Sequence, residues 1–397
     1  MIGSGRRQAI EHPAVVLGAT TLSIVLGAFP IFLTGAMAVF IRPELGFGES
    51  ALGALATLYY LTSAITALPS GRLAERLGGP RAMALGAALS MAAMIGISVF
   101  ATSWGRLAAL LVLAGIGNGV AFPASNLALT RGFPPRRQGM GFAIKQSAGP
   151  FATLVSGAAV PLIGLTVGWR WAFAAAGLAA IPVIAGWNVR QGGPEVRRGS
   201  RSDVPGRPVW LLAFAAFCGV NATASLGAFY VESAVAGSIA PGAAGLLLSL
   251  GSAVGILCRL GWGWLGDRNP RHHFTLLAGI LIAGAAGFLA MSRTTGVAQL
   301  LAVTMLVFGT GWAWPSLLNF AVVQRTWKAP GIASGIIGTG QYGGGILGPV
   351  VFGLLVERIS YRAAWSFSAT MLALAAAFVM LGGRALEQRI EAERSRV

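Results

Sequence analysis

The sequence predicts an all-α membrane protein, with twelve transmembrane helices in two pseudo-symmetric six-helix bundles. Three observations predict it. Only 10% of the 397 residues are charged while 55% are hydrophobic, and a soluble domain carries roughly 25% charge; mean hydropathy is +0.72. Twelve apolar segments each approach the about 20 residues that cross a bilayer as helix. The second six of them repeat landmarks of the first six in the same order.

The segments run over 14–41, 50–70, 82–102, 105–130, 139–166, 169–189, 209–236, 242–265, 273–292, 296–323, 331–356 and 362–383. The first follows a basic start, as in a signal peptide. Its apolar run of about 27 residues is too long for a cleaved h-region and suits a tilted span. The second and eighth end in charged turns, "GRLAERLGGPR" from Gly71 and "GWLGDRNPR" from Gly263. Small-xxx-small glycine pairs mark the fourth (Gly115/Gly119), eighth (Gly251/Gly255) and eleventh (Gly340/Gly344/Gly348) as close helix contacts. Gly149-Pro150 and Gly348-Pro349 should bend spans five and eleven, because proline returns no N–H to the preceding turn.

Residues 1–189 thus form an N-terminal bundle and 209–383 a C-terminal one. The polar, basic stretch 190–208 reads as a linker on the membrane surface, and 384–397 as a charged tail able to form a short surface helix. With the N-terminus inside, all but six of the 29 Lys and Arg fall on the cytoplasmic side, the six being Arg42, Arg106, Arg170, Arg293, Arg358 and Arg362. That imbalance places both termini in the cytoplasm of a cell (inner) membrane, and the even number of spans agrees. The net charge of +17 therefore reports topology and anionic lipid, not nucleic acid.

The internal repeat is specific. "GRLAER" at 71 pairs with "GWLGDR" at 263, and "GNGVAFP" (Gly117 to Pro123) with "GTGWAWP" (Gly309 to Pro315), both at an offset of 192 residues. "GWRWAF" from Gly168 pairs loosely with "SYRAAWSF" from Ser360, and Gln146 before Gly149-Pro150 with Gln341 before Gly348-Pro349. Parallel repeats of this kind place a site at their interface near mid-membrane.

The layout and the charged turn resemble the major facilitator superfamily (MFS) over essentially the whole chain. Its signature, roughly G-x-L-A-D-R-x-G-R-R, is met at Gly71, Leu73, Ala74, Arg76 and Gly78, with Glu75 for Asp. The second copy keeps Gly263, Leu265, Asp267 and Arg268. Gly71, Glu75, Arg76, Gly263, Asp267 and Arg268 are accordingly expected to gate the cytoplasmic side. The arginines complement the negative helix C-termini, the acids bond the opposite half when that side closes, and the glycines permit the approach.

Two ionisable residues lie deep in spans and are functional candidates for that reason. Lys145, in "GFAIKQSAGP", sits about 12 Å inside span five, and Arg259 is at similar depth in span eight. Only two lysines occur, Lys145 and Lys328. A buried amine titrates where a guanidinium does not. Arg259 is expected to fix a substrate carboxylate, with Lys145 attracting it and titrating. Arg259 also resembles the span-eight arginine of oxalate/formate and monocarboxylate carriers in the superfamily. Gln146, Gln341, Asn118, Asn221, Asn319, Tyr59, Tyr342 and Trp314 complete the substrate candidates, and Asn126 and Tyr60 are further polar or aromatic wall residues. Arg42, Arg106, Glu232 and Glu357 lie at span ends.

The function expected is secondary active transport of a small organic solute, an organic anion or carboxylate, by alternating access. One alternative is a drug/proton antiporter, but the span-four arginine of that group is replaced by Leu111. Another class, a non-transporting membrane sensor, lacks a soluble domain to signal with. No enzyme is expected: "GIGNG" (Gly115 to Gly119) lies inside an apolar helix rather than after a strand. No cofactor or metal is expected either, since Cys218 and Cys258 sit in apolar runs and His12, His272 and His273 at span edges. The partners are a small-molecule substrate and the bilayer, with coupled protons left open, and the working unit is a monomer.

Overall fold

Breaks in the helices, more than the helices themselves, set the geometry of this fold. The computed structural model describes residues 13–132, 138–186, 206–268, 272–294, 296–326 and 330–394. Among the described residues every regular element is helical, and eleven helices are long and apolar enough to cross a membrane. The linker expected at 190–208 falls outside them up to residue 205, as do 1–12, 395–397 and Lys328.

In the N-terminal half, α1 (Pro13–Ala36) and α2 (Ala38–Leu45) form one span jointed at Met37. They are followed by α3 (Glu49–Leu77), α4 (Gly79–Phe100) and α5 (Trp104–Gly132). Span five is split into α6 (Gln138–Gln146), α7 (Ala148–Ala159) and a π turn, Val160–Gly164. Span six, described over Trp169–Ala185, is divided into α8 (Trp169–Leu178) and α9 (Ile181–Ala185). Pro182 withholds the N–H that the Leu178 carbonyl would accept, and α8 ends at that residue.

The C-terminal half holds α10 (Arg207–Ala236), α11 (Pro241–Arg268) and α12 (His273–Met291). Span ten is α13 (Val297–Leu306), a π turn at Val307–Gly311 and α14 (Pro315–Arg325). Then come α15 (Pro330–Arg358) and α16 (Tyr361–Arg394). Of the two spans expected to bend, span five is interrupted at Ser147, whereas α15 runs through Pro349 as one continuous helix. The residues expected as a separate tail continue α16 to Arg394, and Glu387 bonds Arg325 of α14 at 3.1 Å.

Lipid supplies no hydrophobic force between helices, so close backbone packing holds them together. The glycine stripes do this work. Gly340, Gly344 and Gly348 of α15 lie against the carbonyls of Ala213, Phe217 and Asn221 on α10, where any Cβ would collide. Gly115 and Gly119 of α5 meet α3 at the carbonyls of Tyr59 and Ser63.

The two halves meet along three seams, α1 with α10, α3 with α15 and α7 with α11. Toward the face away from the termini these seams are backbone on backbone. Gly35 lies on Gly227 and Ala228, Gly53 on Pro349 and Val350, and Gly157 on Gly245. At the terminus-bearing end, Gly71, Gly263, Gly335 and Gly338 border open space. There Glu75 and Arg76 are exposed at the end of α3, and Arg268 stacks on Trp264 at 3.7 Å. The Asp267 side chain lies outside the described residues. The seams are thus closely packed toward the far face, while the glycines of the turns expected to gate border open space at the other end.

Gly344→Val should therefore lower the melting temperature sharply, since overpacking costs about 1–3 kcal/mol even where side chains can yield, and a carbonyl cannot. Gly338→Ala faces open space and raises helix propensity, so thermal unfolding in detergent should find it neutral to stabilising.

Candidate functional site

α6 stops at Gln146 because Pro150, four residues on, has no N–H to offer its carbonyl. In hydrocarbon that oxygen needs another donor. Arg259 crosses from α11 to supply it: Nη1 donates to the Gln146 carbonyl at 2.9 Å and Nη2 to that of Trp312 at 2.8 Å. Trp312 follows the π turn, in the irregular stretch before Pro315 opens α14. One guanidinium thus ties spans five, eight and ten together across the two halves. Its Nε has no partner among the described residues, and the side chain is 9% exposed.

Lys145 is the neighbour of Gln146 and is 1% exposed. Its Nζ donates to Oδ1 of Asn126 on α5 and lies over the rings of Phe122 at 4.7 Å and Phe142 at 5.5 Å. Phe122 and Asn126 are one helical turn apart on α5, so a single face presents both an amide oxygen and a π cloud to the ammonium. Among the described residues neither cation has a carboxylate partner. Two buried positive groups meet at one residue with no opposite charge to balance them.

A second polar group lies at mid-depth on the α3–α15 seam. Asn118 donates to Ser63 Oγ at 2.6 Å, and Tyr342 reaches the same serine from the other half. Tyr59 donates to the Gly27 carbonyl at 2.6 Å and packs edge-on against Tyr60, which covers Gly345. Among the described residues no hydrogen bond joins the remaining candidates to either group. Asn221 is buried in α10 behind α15 with Oδ1 unpartnered, and Trp314 is packed on Gly219 with Nε1 unpartnered among the described residues. Gln341 and Asn319 are half-buried. Sequence depth singled out both cations. Their ligands were hidden, since two of them are main-chain carbonyls freed by helix breaks.

Two cavities lie elsewhere. One of about 560 Å³ is an apolar groove lined by Trp262, Leu276 and Thr310, and one of about 180 Å³ at the far face is lined by Tyr230, Ser233 and Trp365. Neither includes Lys145 or Arg259, both of which are buried.

The model of the Major Facilitator Superfamily matches residues 20–349 and 212–396. The chain belongs to this superfamily. It is a multi-pass membrane transporter and not an enzyme. Among MFS relatives, the probable sulfoacetate transporter of Cupriavidus necator is 25% identical over 94% of this chain and 95% of its own length. The gentisate transporter of Corynebacterium glutamicum is 25% identical over 96% and 86%. A partial match, 26% identical, joins 38% of this chain to 27% of the length of an uncharacterized MFS-type transporter of Mycobacterium tuberculosis. In fold the chain is similar to a bacterial homolog of the human lysosomal transporter Spinster, with a TM-score of 0.77 and 16% identity over 94% of this chain and 97% of that one.

Asn126→Leu should destabilise this MFS protein, because it strips the ammonium of its hydrogen-bond acceptor, and a buried group so orphaned costs about 1–3 kcal/mol. Adding Lys145→Met removes the charge and should restore most of the loss, as a thermal-unfolding double-mutant cycle will read.

Proposed function

We propose that this transporter carries a small organic anion bearing a carboxylate, and that Arg259 and Lys145 bind it where the two halves meet. The observation carrying this reading is the pair itself: two buried cations, joined through Gln146, without a carboxylate among the described residues. An uncompensated buried charge is strongly unfavourable, and an arriving anion neutralises it. Arg259 still has Nε free beside a bonded Nη, the side-on edge on which a guanidinium grips a carboxylate with two parallel bonds. Lys145 then adds a compact point charge beside it.

The relatives agree in chemistry. Sulfoacetate, gentisate and tartrate, named for transporters of Cupriavidus necator, Corynebacterium glutamicum and (putatively, at 21% identity) Agrobacterium vitis, are all carboxylate anions. The Tyr59, Asn118 and Tyr342 group would meet the rest of the solute. We place the terminus-bearing face in the cytoplasm, on the distribution of Lys and Arg, so the state described opens inward. The two halves rock about the bound anion to exchange its exposure, and the charged turns at Gly71 and Gly263 close when the cytoplasmic side shuts.

Counterflow in liposomes with sulfoacetate, gentisate and tartrate as probes tests the assignment. Arg259→Lys, which loses the fork but keeps the charge, should cut uptake at least about tenfold, since a truncated partner of a buried charge pair costs about 2–5 kcal/mol. Lys145→Gln should cut it as well. Undiminished uptake in both variants overturns the anion site.

A further inference from the structure

The far-face seam carries charges that the substrate site does not use. Arg42 of α2 donates Nη1 to Glu232 of α10 at 2.5 Å and Nη2 to Glu49 of α3 at 2.9 Å. Arg42 and Glu49 belong to the N-terminal half and Glu232 to the C-terminal half, so one guanidinium is shared between a partner of its own half and one across the seam. The Glu232 side chain is 9% exposed. A few residues away, Glu357 at the end of α15 accepts the Ser50 N–H at 3.0 Å. That N–H is among the free donors of the α3 N-terminus, whose N-cap position, Gly48, provides no side chain. The other half therefore supplies the cap.

The charged and titratable groups around Glu232 are Arg42, Glu49, Tyr361 at the start of α16, Arg362, and Glu357 with Arg358 at the end of α15. Arg42 stands between two carboxylates. If the halves part with Glu232 ionised, a sparsely exposed carboxylate loses its cation. That separation is strongly disfavoured. If Glu232 first takes a proton from water at the far face, the N–H···O⁻ pair becomes a contact with a neutral acid. Arg42 keeps its charge partner in Glu49, and nothing ionic is left unpaired when the seam opens.

We propose that Glu232 is a proton-binding site coupled to opening of the far face: protonation releases Arg42 to Glu49 and unlatches the halves. The ligand is the proton itself, and the site is separate from the Lys145–Arg259 pair. Backbone packing of Gly35 on Ala228 lies on the same α1–α10 seam, so it must come apart with the latch.

Ala228 is 3% exposed and reports the seam. In full-length protein with Cys218→Ala and Cys258→Ala, a cysteine at Ala228 is labelled with a membrane-impermeant maleimide. The rate is divided by that of a cysteine at exposed Ser103 to remove the thiol's own pH dependence. The parent should label at least about tenfold faster at pH 6 than at pH 8. Glu232→Gln, which mimics the neutral acid, should label at the fast rate at both pH values. Glu49→Gln, which leaves Arg42 wholly to Glu232, should stay slow. The exchange Arg42→Glu with Glu232→Arg should return slow labelling, which separates latch loss from misfolding. The proposal is overturned if Glu232→Gln labels no faster than the parent at pH 8, if it keeps the parent's pH dependence, or if Glu49→Gln opens the seam equally.

Discussion

Hydrocarbon leaves a backbone carbonyl no water to bond, and the whole site follows from meeting that demand at Gln146. Pro150 removes the helical donor, and the oxygen is satisfied from another span, in the other half, by Arg259. Arginine suits the position where lysine would not. A planar fork with five donors reaches two carbonyls at fixed angles and keeps its charge, whereas an ammonium is a compact point. The same residue that bonds the carbonyls of spans five and ten is the one we propose receives the anion. On that proposal binding and helix geometry share one group, and a ligand that draws on its Nε would bias the arrangement of both neighbouring spans.

The seams between the halves answer a related demand. With no hydrophobic drive to hold them, the halves close by backbone contact at Gly35, Gly53, Gly157 and Gly245. Charge also crosses the far seam: Arg42 bonds Glu232 there and Glu357 accepts the Ser50 N–H, while Glu75 and Arg268 at the other end are exposed. The duplicated turn was legible from its sequence, but the open space beside Gly71 and Gly263 was not.

What sequence made readable was whatever obeys a local period. Spans, glycine stripes and the depth of Lys145 and Arg259 follow from spacing along one helix. What it concealed depends on pairing at long range. Arg42 and Glu232 lie 190 residues apart and each reads as an ordinary span-end charge. Asn126 reads as one polar residue among several until α6 brings an ammonium to it. Pro349 reads like Pro150, yet α15 stays whole, held along three glycines against α10. Span five has no such support opposite its proline and breaks. The sixth span is divided where Pro182 ends α8, a local signal that the apolar run alone did not reveal.

The cation site is built from two diverged copies of one motif. At the 192-residue offset, Val120 corresponds to Trp312 and Phe122 to Trp314, with Pro123 matching Pro315. In the first copy α5 runs through its proline, and Phe122 turns its ring to the Lys145 ammonium. In the second, two indoles replace smaller side chains. Trp314 is pressed on Gly219, while Trp312 packs against Phe308 at 4.9 Å and Phe32 at 6.0 Å. Two residues apart, the rings point to opposite sides of the chain, as helical periodicity alone would place them. Trp312 lies in the irregular stretch between the π turn Val307–Gly311 and Pro315, and its carbonyl accepts from Arg259. One copy keeps its helix and lends an aromatic face; the other gives up its helix and lends an oxygen. Each half therefore contributes to the cation pair what the other cannot, and that is the physical reason the site lies between them.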